Sequence, residues 1–268
     1  MMKDITLGQY FPGDTLAHRL DPRTKILLVI LYIVALFIAK TFTAYALLAL
    51  VLAICVRVSE VRFRVLVRGL RPVLIIILFT GLLNIFFTPD ERYLFEWGVL
   101  RVSEAGLRNA AFMVLRIMLL IMGTFLMTYT TSPIRLTDGL ESLMSPLKRV
   151  KVPVHELAMM MAIALRFIPT LIEETDKIMS AQKARGADFE SGNLFQKAKA
   201  LVPILVPLFV SAFRRADELA VAMECRCYHG GEGRTKLHVL QYAPRDYLAL
   251  ACGVAVLAAV IVLRRFSV

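Results

Sequence analysis

The chain has 268 residues, 58% of them hydrophobic, a formal net charge of +11 and a mean hydropathy of +0.66. Soluble domains are usually ~45–50% apolar, so the composition excludes an ordinary soluble domain and points to a membrane protein with a substantial polar part. The basic residues cluster beside apolar runs, which is the positive-inside pattern of a membrane protein rather than the footprint of a nucleic-acid binder.

Four cysteines, Cys55, Cys225, Cys227 and Cys252, form no disulfide framework and suit a reducing compartment. The polar N-terminus argues against a cleavable signal peptide. Five stretches read as spanning or near-spanning helices. Ile26–Ala39 and Phe42–Val56 are shorter than the ~17–25 residues of a usual span, and Lys40 and Thr41 join them as a tight hairpin. Leu20-Asp21-Pro22-Arg23-Thr24-Lys25 precedes the first, with Asp21 as N-cap and Pro22 at the first helical position. The third stretch is Val73–Phe87, stopped by Thr88-Pro89-Asp90; the fourth is Leu107–Thr131, stopped by Ser132-Pro133. The fifth is Tyr247–Leu263, closed by Arg264 and Arg265.

Loop charge orients these spans. Arg19, Arg23 and Lys25 precede the first, and Arg57, Arg62, Arg64, Arg68 and Arg71 fill the connection between the second and third. The 88–106 loop mixes signs. The expectation is a cytoplasmic N-terminus, an external 88–106 loop and a cytoplasmic segment from Pro133 onward. Five spans then put Arg264 and Arg265 outside, against the same charge rule.

The segment between the fourth and fifth spans is unlike a soluble domain. Its apolar runs, Leu157–Leu165 and Leu201–Phe213, are short and flanked by charge, and no strand alternation is visible. Three amphipathic helices are expected, over 134–149, 153–185 and 194–226, with Pro133 and Pro153 marking helix starts. The predicted fold is therefore an all-α membrane protein of about five transmembrane helices. A cytoplasmic domain of about three amphipathic helices is inserted before the last span. The domains are residues 1–131 (membrane helices), 132–245 (cytoplasmic helices) and 246–268 (last span). Helices with an apolar face and no sheet to cover it need the membrane or partner proteins to bury it.

Two arginines stand near the ends of these helices. Arg185 lies in Ala181-Gln182-Lys183-Ala184-Arg185-Gly186, and Arg226 in Ala222-Met223-Glu224-Cys225-Arg226-Cys227-Tyr228. A basic residue at a helix C-terminus complements the macrodipole, and Gly186 suits a C′ cap. Two equivalent arginines also offer two guanidinium forks suited to carboxylates. That arrangement fits a dimeric acidic partner. Met144, Met159, Met160, Met161 and Met179 serve either as core filling or as a compliant surface. Pro203 and Pro207 share one helical face and predict a bend. Arg116 and Asn84 lie within spans, where polar residues are functional suspects.

Enzymatic patterns fail. His155-Glu156 begins a zinc-protease motif, but Met159 stands where its second histidine belongs. Cys225, Cys227 and His229 lack a fourth ligand and a structural-zinc spacing. Gly230-Gly231-Glu232-Gly233-Arg234-Thr235-Lys236 has the glycines of a phosphate loop without its Gly-Lys-Ser/Thr ending. No catalytic residue, metal site or nucleotide site is expected in this chain.

The chain resembles the transmembrane coupling subunit (EcfT type) of energy-coupling factor transporters, a class of ABC importer. The likeness runs nearly end to end. It rests on Leu20–Lys25, Thr130-Thr131-Ser132-Pro133, Leu165-Arg166-Phe167-Ile168-Pro169, and the two Ala-Arg-Gly motifs at Ala184-Arg185-Gly186 and Cys225-Arg226-Cys227. In the second motif cysteines replace alanine and glycine, which leaves the turn after the helix open. The resemblance implies that Arg185 and Arg226 each enter a groove on one of two ABC ATPase subunits. Those subunits would bind the ATP and Mg. It also implies a substrate-binding membrane S component, a prokaryotic plasma membrane location and uptake of a vitamin or metal ion. The alternatives are a self-contained secondary transporter or channel using Arg116 and Asn84, and a membrane enzyme. No internal repeat supports the first, and no convergent acid/base group supports the second.

Overall fold

The computed structural model describes residues 10–87, 93–97, 100–187, 189, 193–231 and 239–266. The described chain is overwhelmingly helical. The element order is α1 Leu16–Arg19, α2 Pro22–Ile38, α3 Phe42–Val58 and α4 Phe63–Phe87, then β1 Tyr93–Trp97 and β2 Leu100–Ser103. It continues with α5 Glu104–Thr130, α6 Pro133–Met144, a 3-10 turn Ser145–Val150, α7 Val154–Ala184, α8 Leu194–Glu224 and α9 Pro244–Phe266. The chain divides into two compact units, one of Gly8–Ser142 with Leu240–Val268, the other chiefly Leu143–Val239.

The first unit is the membrane bundle. In α3, Ala44, Leu48, Leu52 and Val56 recur every fourth residue and are buried, while Leu50, Ile54 and Val58 are exposed. With Leu36, Tyr45, Leu66, Leu119, Met122 and Val260 they form the core. The outer face of α4 exposes Leu74, Ile75, Ile76, Leu78 and Phe79 together. Such a face is stable against lipid and not against water. Among the described residues, four helices are long and apolar enough to cross a membrane: α4, α5, α7 and α9. The chain is a multi-pass membrane protein.

Polar groups lock one end of this bundle. Asp21 caps α2 by accepting from the Arg23 N–H, with Pro22 at the first helical position, as the sequence predicts. The Arg23 guanidinium grips the Asp21 carboxylate with Nε at 3.0 Å and Nη2 at 2.9 Å, and lies 3.9 Å from the centre of the Tyr242 ring. The Asp21 N–H donates to Asp246 Oδ1 at 2.8 Å, at the start of α9. Lys25 Nζ donates to the Thr130 carbonyl at 2.8 Å and to Thr131 Oγ1 at 3.1 Å, at the end of α5. Gly139 lets α6 lie against the start of α2, since a Cβ there would meet Pro22 Cβ at 2.9 Å.

These contacts carry a topological consequence. The end of α5 and the start of α9 lie at the same end of the bundle as the start of α2. The chain between them therefore crosses the membrane an even number of times. At 12 residues α6 is too short to span. The remaining choice is that α7 and α8 both cross or neither does. α7 is long and apolar enough by itself, a capacity the sequence reading did not assign to it. α8 carries Arg214, Arg215, Asp217, Glu218 and Glu224, and is not among the helices apolar enough to cross. Parity allows both arrangements; among the described residues α4, α5, α7 and α9 have the length and hydropathy of a span, and α3 is a shorter apolar helix.

Several boundaries differ from the sequence reading. α4 begins at Phe63, ten residues before the predicted Val73, so Arg64, Arg68 and Arg71 are helical rather than in a loop. Pro72 sits inside that helix; it removes one hydrogen bond without ending it. The predicted helix 134–149 stops at Met144, and a 3-10 turn starting at Ser145-Pro146 replaces its end. Between α4 and α5 the predicted plain loop contains an antiparallel hairpin, with Phe95 opposite Val102 and Trp97 opposite Leu100. Tyr93, Phe95, Trp97 and Val102 are residue types that favour strands. Thr88-Pro89-Asp90 and residues 232–236 of the rejected phosphate loop lie outside the described residues.

Candidate docking site

The two helices α7 and α8 are each 31 residues long and end in the same hydrogen-bond pattern. After α7 the Gly186 N–H donates to the Lys183 carbonyl and the Ala187 N–H to the Gln182 carbonyl, both at 3.0 Å. After α8 the Cys227 N–H donates to the Glu224 carbonyl at 2.8 Å and the Tyr228 N–H to the Met223 carbonyl at 3.1 Å. Each set is a Schellman cap, and each matching pair of residues is 41 positions apart. Arg185 and Arg226 hold the same place in the two caps.

The residue after each arginine is left-handed: Gly186 at φ +87° and Cys227 at φ +55°. Glycine adopts that region freely, whereas an L side chain pays ~1–2 kcal/mol. The cysteine therefore strains the second turn without abolishing it. Ala184, Arg185, Gly186, Cys225, Arg226 and Cys227 are all exposed. Among the described residues, neither guanidinium has a hydrogen-bond or ion-pair partner. Each presents its donors to solvent, at a helix C-terminus whose dipole it complements.

The helices run antiparallel. Arg215 Nη2 donates to Glu174 Oε2 at 2.6 Å, and Gln182 Nε2 donates to the Pro203 carbonyl at 3.3 Å. The second bond has a local cause: Pro207 has no N–H, so the carbonyl four residues earlier, that of Pro203, lacks its helical donor. α8 continues through both prolines. Beyond Arg226, Gly231 lies against the His155 ring near the start of α7, where a Cβ would collide with the ring. Arg185 and Arg226 thus lie at opposite ends of the helix pair, on the order of 35 Å apart at 1.5 Å per residue. One small acidic site cannot engage both. Two separate sites can.

Glu174, Arg215 and Gln182 are absent from the sequence-level site. The Pro203/Pro207 spacing was the available signal, because it announces an orphan carbonyl. Met160 and Met161 are exposed, which favours a surface role over core filling. The suspects inside the spans have structural partners. Arg116 Nε donates to the Tyr45 hydroxyl at 3.0 Å, and its Nη2 lies 3.5 Å from the Ala39 carbonyl at the α2 C-cap. Asn84 Nδ2 donates to the Thr80 carbonyl at 2.9 Å and contacts Met113 Sδ. His229 Nδ1 lies 2.8 Å from the Cys227 carbonyl oxygen, so that ring is held by its own turn. Among the described residues, no three His, Cys, Asp or Glu side chains gather as a metal group would require.

A family model described as cobalt transport protein, CbiQ, matches residues 13–237. The energy-coupling factor transporter transmembrane protein EcfT of Clostridium kluyveri is 58% identical over 253 residues, covering 94% of each chain. Its namesake in Bacillus subtilis is 53% identical over 246 residues, covering 92% of this chain and 93% of the relative. That of Lactococcus lactis is 47% identical over 247 residues, with 92% and 93% covered. End-to-end coverage at this identity makes the chain a member of the energy-coupling factor transporter transmembrane protein (EcfT) family, and so the membrane component of such a transporter.

Proposed function

We infer that this chain couples two ABC ATPase subunits to a substrate-binding S component, in the plasma membrane of a prokaryote, for uptake of a vitamin or metal ion. The observation that carries this reading is the pair of equivalent, exposed arginine caps at opposite ends of α7–α8. Each guanidinium docks in an acidic groove on one ATPase subunit. ATP and Mg are held by those subunits, and the chain itself is not an enzyme. Closure of the ATPase pair moves the two helix ends, and α7 and α8 carry that motion toward the S component. An even number of crossings between α5 and α9 is compatible with α7 and α8 lying on one side of the membrane, and the arginines of the α3–α4 region favour the cytoplasmic side.

Truncating one partner of a desolvated charge pair typically costs about thirtyfold to several thousandfold in affinity, so each arginine variant is expected to weaken capture by roughly a hundredfold. The test is uptake by the assembled complex in proteoliposomes carrying Arg185→Glu and Arg226→Glu. Loss of uptake with normal membrane insertion is expected. Normal uptake by the double variant would refute the reading.

A further inference from the structure

The ion pair between α7 and α8 stands at a special place. Glu174 precedes Arg185 by 11 residues, and Arg215 precedes Arg226 by 11 residues. Glu174 and Arg215 are therefore equivalent positions under the 41-residue correspondence of the two caps, and they touch each other. In an antiparallel pair, equivalent positions meet only at a local two-fold axis. The axis of α7–α8 passes through this ion pair, and the two arginines lie at equal distances on either side.

At such an axis a residue faces its own counterpart, so identical charges would repel. Here the positions carry opposite charge, with Glu173 and Glu174 on α7 and Arg214 and Arg215 on α8. The remaining candidate contacts are weak in register. Among the described residues of α8, Ile204 is the one buried side chain, while Leu201, Val202, Leu205, Val206, Phe209 and Val210 are exposed, and apolar faces slide with little penalty. A single polar pair fixes register where apolar surface does not.

We propose that Glu174 and Arg215 are positioning residues: their ion pair sets the register of α7 and α8, and so the spacing at which Arg185 and Arg226 are presented to a partner with two like halves. This rests on the docking reading above. The pair's value lies in placing the tips, not in holding the fold. The Gln182–Pro203 bond lies 3 residues from Arg185 and the Gly231–His155 contact 5 residues beyond Arg226, so these restrain the two ends while the ion pair holds the middle.

The test measures tip separation in the full chain alone, in lipid nanodiscs, by double electron–electron resonance. Spin labels go on Lys183→Cys and Glu224→Cys, which are equivalent and exposed, in a chain whose native cysteines are replaced. The parent should give one narrow distribution on the order of 30 Å. Glu174→Gln should lose that single peak, and the exchange Glu174→Arg with Arg215→Glu should restore it. An unchanged peak in Glu174→Gln, or no restoration by the exchange, would overturn the proposal. A second arm adds the organism's ATPase subunits. Glu174→Gln should keep their capture while losing substrate moved per ATP hydrolysed; unaltered coupling would also overturn it. Capture insensitive to Arg185→Glu/Arg226→Glu would instead remove the docking reading, and the distance result on the chain alone would remain.

Discussion

Replacing Asp246 with alanine should loosen the membrane bundle where α2 meets α9. The carboxylate is 1% exposed and accepts two backbone N–H bonds at 2.8 Å, from Asp21 through Oδ1 and from Ala243 through Oδ2. Both are charge-assisted, and the Asp21 N–H is itself in a buried residue. A buried donor left unsatisfied costs ~1–3 kcal/mol, so Asp246→Ala should cost about 3 kcal/mol in all. In a unit of this size each kcal/mol lowers Tm by ~2–4 °C, which gives a fall of roughly 6–12 °C. Asp246→Asn keeps an acceptor oxygen for Asp21 and should lose about half as much. The assay is thermal unfolding of purified protein in detergent by circular dichroism, with exposed Arg264→Ala as control. An Asp246→Ala midpoint within about 2 °C of the parent would refute the claim that this contact pins the two helix starts.

Cys227→Gly should relieve the left-handed strain by ~1 kcal/mol and slow amide exchange at Tyr228; faster exchange would contradict the shared cap geometry. Arg116→Leu removes the donor to the Tyr45 hydroxyl, leaving that group its long bond to the Leu36 carbonyl, and should lower the thermal midpoint, while uptake per assembled complex stays unchanged; loss of uptake in well-folded complex would return Arg116 to a transport path. An impermeant maleimide should reach Lys40→Cys and Lys148→Cys from opposite faces of the membrane, and labelling from one face alone would contradict an odd number of crossings by α3, α4 and α5. Cys225 and Cys227 flank Arg226 and are exposed, so bound ATPase subunits should protect both from maleimide; equal labelling with and without them would argue against docking at that tip.

What the sequence made legible was local. Asp21-Pro22 announces a capped helix start because both residue types are restricted in backbone and hydrogen bonding. The two arginine ends are readable for the same reason, since Gly186 marks a C′ position. Cys227 hid the second cap, because nothing in its chemistry requests a left-handed backbone. The start of α4 was missed because its arginines and Pro72 read as a loop, while the helix tolerates one lost hydrogen bond. The polar contacts that organise the site join residues distant in sequence. Glu174 with Arg215, and Arg116 with Tyr45, have no local pattern, so only the fold reveals them. The hairpin of β1 and β2 was similarly hidden, being too short for its alternation to stand out.

The most direct test of the central claim is capture of the two ATPase subunits by the full chain in detergent, comparing the parent with Arg185→Glu, Arg226→Glu and the double variant. The account predicts firm capture by the parent, weakened capture by each single variant and none by the double variant. Equal capture by all four proteins would contradict it, moving the contact to the apolar faces of α7 and α8 and leaving both arginines as ordinary helix ends.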